Sequence, residues 1–269
     1  MITPTLPRGP RRIVCLTEET AETLYLLGEQ ERIVGISGFT VRPPQARKEK
    51  PKVSAFTSAK LGRIEELKPD LVLAFSDLQA DIAADLARRG IAVHVFNQRS
   101  VTEIFEFIEM LGAMVHAGAR TRTLIDSLRR ELDAVREASL RLPRRPRVYF
   151  EEWDDPMISA IQWVSELIGL AGGQDVFPEL APQRGGGDRI VSDPSEVIRR
   201  APDLILGSWC GKRFSAKRVA ARPGWQAIPA VRDGQLHEIK SCDILQPGPA
   251  ALGDGLRQLH SRIAAAATA

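Results

Sequence analysis

Lys68-Pro69-Asp70-Leu71-Val72-Leu73-Ala74 returns 133 residues later as Ala201-Pro202-Asp203-Leu204-Ile205-Leu206-Gly207, a shift of half the 269-residue chain. Each copy is an aliphatic run of three with Pro-Asp in front and a small residue behind, the pattern of a strand covered on both faces of a parallel sheet. An amphipathic stretch precedes each copy, Leu61 to Leu67 and Ser195 to Arg200. The proline suits the turn where such a helix stops. The same shift relates Arg11-Arg12-Ile13-Val14 to residues 144–148, and a shift about ten residues longer loosely relates Leu27-Gly28 to Leu170-Ala171-Gly172. The reading is α/β: two similar lobes with parallel central sheets flanked by helices.

Outward from these strands, residues 12–16, 32–36 and 91–96 complete a first lobe over 1–100, with helices from Glu18 to Gly28 and from Gln79 to Arg89, the latter capped by Ser76 or Asp77. Residues 37–60 carry four of the chain's prolines and glycines among many basic residues and read as a long functional loop. From Val101 to about Leu140 the pattern is helical, broken near Gly112 to Gly118, and it predicts one long helix bridging the lobes over 101–141. A second lobe over 142–269 has strands at 147–150, 204–207 and 235–239, a helix at 161–170 and a closing helix from Ala250. Glu151-Glu152 and Asp154-Asp155 are adjacent pairs whose side chains diverge, so they read as a helix-capping cluster before Pro156 rather than as paired catalytic carboxylates.

Composition narrows the function. A net charge of +3, spread along the chain, gives no basic block for nucleic acid. Cys15, Cys210 and Cys242 form no CxxC pair, and the four histidines show no HxH or HExxH spacing, so neither a disulfide framework nor a metal site is expected. The glycine triplet at 185–187 lacks the Lys-Ser/Thr of a phosphate loop. Cys210 after a strand, with His237 as a base, is the one catalytic alternative, without any nucleophile-elbow signature. No apolar leader is visible near Met1, which with the unpaired cysteines predicts a cytoplasmic protein, the alternative being a periplasmic one from which a leader has been removed; a monomer is expected.

Open parallel sheets bind ligands beyond their strand carboxyl ends. The turns there hold Phe39, Arg42, Phe75, Asp77, Arg99, Glu152, Trp153, Trp209 and Asp243. Aromatic groups and cations at such turns suit a large ligand with flat apolar surface and polar substituents, held between two lobes. Phe56 and Phe75 read equally as core side chains.

The stretches Gly35-Ile36-Ser37-Gly38-Phe39, Arg42-Pro43-Pro44-Gln45-Ala46, Val53-Ser54-Ala55-Phe56 and Leu67 to Phe75, with Trp163 to Gly173 in the second half, resemble the solute-binding proteins of ABC importers for cobalamin and ferric siderophores. The likeness is strongest to the cobalamin branch and covers nearly the whole chain. It implies two lobes with a helical backbone and non-catalytic binding of a cobalamin-like corrinoid or another metal chelate, an anionic siderophore or haem being the alternative. It also implies ligand-cleft roles for the aromatics at Phe56 and Phe75, and importer membrane subunits as partners. Three departures stand out. Arg42 replaces the family's aromatic before Pro-Pro, and the docking glutamates are absent, with Gly62 and Ser195 in their places. The missing leader is the third, and with the second it points to an intracellular relative.

Overall fold

Aliphatic runs too apolar for a water-facing strand become the inner strands of two mostly parallel sheets, as the computed structural model shows for residues 9–269. Contacts divide the chain into unit 1, up to Gln98 plus Thr102–Ser127, and unit 2, Arg99–Val101 plus Leu128–Ala269.

Unit 1 alternates β1 (Ile13–Cys15), α1 (Glu18–Leu26), β2 (Ile33–Ser37), α2 (Pro44–Glu49), β3 (Lys52–Ser54), α3 (Leu61–Glu66), β4 (Leu71–Phe75), α4 (Ala80–Arg88) and β5 (Val93–Phe96). All pairings are parallel and the order is β3-β2-β1-β4-β5. The chain winds from β1 towards one edge and then crosses to build the other, so the crevice of a doubly wound sheet opens between the carboxyl ends of β1 and β4. Val14, Leu16, Val53, Ile64, Val72, Ala74, Ile82 and Leu86 make one core layer.

Residues 37–60 are not the loop that their prolines predict. Pro43 and Pro44 open α2, where a proline has no helical hydrogen bond to forfeit. Lys52–Ser54 then adds an edge strand whose Val53 is fully buried. A three-residue strand among Lys, Pro and Ser carries too little apolar signal to be seen by periodicity.

The helical stretch 101–141 is α5 (Val101–Met114) followed by α6 (Gly118–Ser139). It is not a segment of its own: α5 beyond Val101 belongs to unit 1, and α6 passes from unit 1 to unit 2 after Ser127. The 22 residues of α6 make a helix of about 33 Å. No helix of the described residues is long and apolar enough to cross a membrane.

Unit 2 holds β6 (Arg147–Asp154), β7 (Met157–Ser159), α7 (Gln162–Leu170), β8 (Gln174–Asp175), α8 (Ser195–Arg200), β9 (Leu204–Gly207), α9 (Ala216–Ala220), α10 (Pro229–Arg232), β10 (Leu236–Glu238), α11 (Ser241–Ile244) and α12 (Leu256–Thr268). β10, β9 and β6 run parallel; β7 returns antiparallel to β6, and β8 pairs with its start. β6 is therefore twice the expected length. Its acidic end folds into a hairpin rather than capping a helix, because Glu151, Glu152 and Asp154 each find a cationic partner there.

The repeated Pro-Asp has one physical meaning in both units. Asp70 accepts the backbone N–H of Arg11 (2.7 Å) and Arg12 (2.9 Å), and its own N–H donates to the Arg12 carbonyl (2.9 Å). Asp203 accepts from Arg147 N–H (2.7 Å), and its N–H reaches the Arg147 carbonyl (2.8 Å). Each aspartate thus pins the start of one central strand to its neighbour, satisfying donors that precede the ladder. Lys68 and Ala201, at matching places before the prolines, both take the left-handed conformation (φ 45° and 42°), the helix-ending geometry that a side chain adopts at some cost.

Candidate functional site

At the carboxyl edge of unit 1, the crevice between β1 and β4 is bridged by one side chain. Gln79, fully buried in the turn after β4, accepts the Phe75 N–H (2.9 Å) and donates to the carbonyls of Phe56 (2.8 Å) and Leu16 (3.4 Å). An uncharged amide can serve both roles at once, which no carboxylate can. Ser76, at φ 59°, accepts the Leu78 N–H (3.3 Å) and starts the turn. In the turns after β2 and β4, Phe39 and Leu78 stand 57% and 58% exposed; Phe56, whose carbonyl Gln79 holds, is half-buried, and Asp77 is exposed. Phe75 is buried in the core.

β1 is followed by Thr17-Glu18-Glu19, and both carboxyls are buried at the start of α1. Burial pushes Glu18 up to about 8, against the pull of the Arg42 N–H that it accepts (2.8 Å). Burial likewise pushes Glu19 up to about 7, although the Thr17 hydroxyl donates to it. The Arg42 guanidinium pairs with Glu22 (2.9 Å), one turn further along α1. So Arg42, expected to meet an anionic ligand edge, faces the protein's own carboxylates.

In unit 2 the corresponding edge is closed by ions. Glu151, fully buried on β6, takes Arg222 in two bonds (2.5 and 3.0 Å), the indole N–H of Trp209 (3.0 Å) and the Tyr149 hydroxyl (3.1 Å). On the opposite face of the strand, Glu152 is held by Arg189 (2.6 and 3.2 Å), which is itself buried and also donates to Ser159 O (2.6 Å). Asp154 binds Lys212 and Arg218 (3.0 Å). Burial favours its neutral form, yet the Lys212 hydrogen bond and the two charges hold it below the usual carboxylate range. The Lys212 ammonium also lies 3.9 Å from the Trp153 ring centroid, a cation–π contact.

Trp209 is only 3% exposed and belongs to the unit 2 core, with Phe214 edge-on at 5.0 Å. That corrects the expectation of a tryptophan wall: a Trp after a strand does enter the core here, because Gly207 leaves room for the Phe214 ring, which a Cβ would strike at 1.9 Å. Trp153 is half-buried with its N–H on the Asp155 carbonyl (2.8 Å). Asp243 accepts from Gln258 (3.1 Å), and Arg99 reaches the Arg184 carbonyl (3.4 Å). His237 bonds Gln235 (3.2 Å), and it pairs in register with Leu206, four residues short of Cys210. No group of three or more His, Cys, Asp or Glu among the described residues could hold a metal ion.

Compared with known proteins, residues 13–242 match the model of the periplasmic binding protein family. The chain belongs to that family. An uncharacterized ABC transporter substrate-binding lipoprotein of Bacillus subtilis is 25% identical over 268 residues, 96% of this chain and 82% of the relative. A vitamin B12-binding protein of Vibrio parahaemolyticus is 25% identical over 252 residues, covering 90% and 85%. Among solved structures, the periplasmic heme-binding protein RhuT from Roseiflexus sp. RS-1 shares the fold with TM-score 0.80 at 22% identity, over 95% of this chain and all of that one.

As a periplasmic binding protein the chain is a solute binder rather than an enzyme, and the two α/β sheets with a long helix are the fold its sequence predicts. The cytoplasmic location is overturned: family and relatives are periplasmic or lipoproteins. Gln79, Arg189 and Arg222 escape a sequence reading because each has a partner, Leu16, Glu152 and Glu151, that lies 63, 37 and 71 residues away, beyond any local pattern.

Proposed function

We propose that this protein is an ABC-importer solute-binding protein that carries a cobalamin-like corrinoid or a related large metal chelate, with the carboxyl edge of each sheet as the ligand-facing surface. The observation that carries this reading is that Phe39 and Leu78, large apolar side chains in the turns after β2 and β4, are left more than half exposed at the carboxyl edge of unit 1. Exposed apolar groups rimmed by polar ones mark binding surfaces, and a macrocycle lying on them would remove that area from water. The relatives that bind vitamin B12 span about nine-tenths of the chain, which supports the corrinoid over other chelates.

In unit 2 the ligand-facing role goes to the half-buried Trp153 with Lys212 upon it, and Trp209 serves as a core anchor. Asp77, Arg99 and Asp243 are proposed as polar contacts, while Glu152 holds Arg189. Importer membrane subunits are the proposed partner. Gly62 stands exposed on α3, and Ser195 is bonded to Asp193 (2.7 Å), so docking uses other residues than those two positions.

Calorimetric titration with cobalamin, cobinamide, haem and a ferric siderophore tests the reading. Cobalamin is expected to bind with a Kd below roughly 100 μM, about −5.5 kcal/mol, and Phe39→Ala to weaken it at least fivefold. Tighter binding of haem or siderophore than of cobalamin, or no binding at all, would sink the corrinoid assignment.

A further inference from the structure

Unit 1 holds a cavity of about 620 Å³ between α1 and α2, lined by Glu22, Tyr25, Leu26, Glu31, Arg42 and Glu49, with Pro43 and Pro44 among its walls. Its size falls in the range of small-molecule sites. Glu22, Tyr25 and Leu26 share one face of the helix at spacings of three and four, and Glu31 extends the lining past its end. The cavity therefore follows the length of α1 away from the crevice between β1 and β4.

Three carboxylates meet one guanidinium in this lining, and the Arg42 Nε is already 2.9 Å from Glu22. Glu31 and Glu49 have no ion-pair partner among the described residues. Glu49 instead accepts the Tyr25 hydroxyl (2.8 Å), which fixes the ring against the groove. Leu26, 53% exposed, stands in the same lining, an apolar side chain held in water with no partner layer over it.

We infer that the α1–α2 groove is a second binding site, for a small organic amine: its ammonium group between Glu31 and Glu49, its hydrocarbon body on Leu26, Pro43 and Pro44. A cation there gains the two carboxylates that lack an ion-pair partner. An apolar body of similar shape without charge gains only the walls, and an anion is repelled. This site stands independently of the corrinoid reading, since it uses neither Phe39 nor the crevice.

The test uses the full chain labelled with ¹⁵N and titrated with hexylamine and, separately, with hexanol. Hexylamine is expected to shift the amides of Tyr25, Leu26, Gln45 and Glu49 with a Kd of about 1 mM or tighter, and hexanol to bind at least fivefold more weakly. Glu31→Gln with Glu49→Gln should weaken hexylamine at least fivefold; the amide oxygen that the second substitution introduces still accepts the Tyr25 hydroxyl, so the groove keeps its shape. Equal shifts from hexanol, or an unchanged hexylamine Kd in the double variant, would overturn the assignment. Added cobalamin should leave the hexylamine shifts in place, and their loss would show one site instead of two.

Discussion

The two sheets end in different chemistry although they begin in the same way. Unit 1 and unit 2 each pin their central strands with an aspartate after proline, Asp70 and Asp203. At the other end, unit 1 closes its crevice with a neutral amide, Gln79, and leaves Glu18 and Glu19 buried without a guanidinium in contact among the bonds they make. Unit 2 closes the equivalent edge with Glu151, Glu152 and Asp154, every one paired to Arg or Lys. The two similar units thus keep the strand starts, where only backbone must be satisfied, and vary the edge proposed to face a ligand. Each unit holds its electrostatic risk in a different place: unit 2 in partners that can be lost, unit 1 in charges that can appear.

The largest effect expected from disturbing this contrast is in unit 2. Arg222→Ala strips Glu151 of two hydrogen bonds in a fully buried place, and an orphaned buried charge costs about 3–5 kcal/mol. All four tryptophans, Trp153, Trp163, Trp209 and Trp225, lie in unit 2, so their emission during urea unfolding reads the loss where it occurs. A shift below about 1 kcal/mol would show that the network is not what holds that edge.

In unit 1 the expected effect is a pH dependence. Glu19 titrates near 7 in the folded protein against an ordinary 4.5, so the folded state holds its proton more tightly. Stability from this group is complete below pH 4.5 and falls as pH rises through about 7, by on the order of 3 kcal/mol. Glu19→Gln should remove that slope, making the variant more stable than the parent at pH 8 and little different at pH 4.5. Thermal unfolding of both across that window decides it; parallel curves would mean that Glu19 stays ionised in the fold.

The smallest expected effect comes from attacking the amide itself. Gln79→Ala leaves the Phe75 N–H and the Phe56 carbonyl without their partner, costing on the order of 1–2 kcal/mol. Gln79→Glu should cost at least as much, because an ionised carboxylate can accept from Phe75 but has nothing to donate to Phe56 or Leu16. Circular dichroism melts of both variants suffice. Equal stability of Gln79→Glu and the parent would refute the two-way clamp.

The fold is legible because its signals are local: the runs at 71–74 and 204–207 form strands, and the stripe of Leu124, Leu128, Leu132 and Val135 lies on α6. Lys52–Ser54 is illegible, since an edge strand needs only Val53 inside. Glu151-Glu152 reads as a capping cluster because the sequence does not display Arg222 and Arg189 beside them. Trp209 shows the same limit from the apolar side: its type suggests a ligand wall, while its burial depends on Gly207 and Phe214.

α6 carries a consequence for how this chain can be divided. Its 22 residues run without a break from Gly118 to Ser139, yet the boundary between units falls after Ser127, and the chain has already crossed that boundary twice around Arg99–Val101. A gene split at the boundary would therefore cut a helix in mid-course. It would strand Leu128 and Val135, both buried, on a fragment whose first turn has lost its helical carbonyl partners. Halves made by such a cut should behave as complementing fragments that recover structure only when mixed.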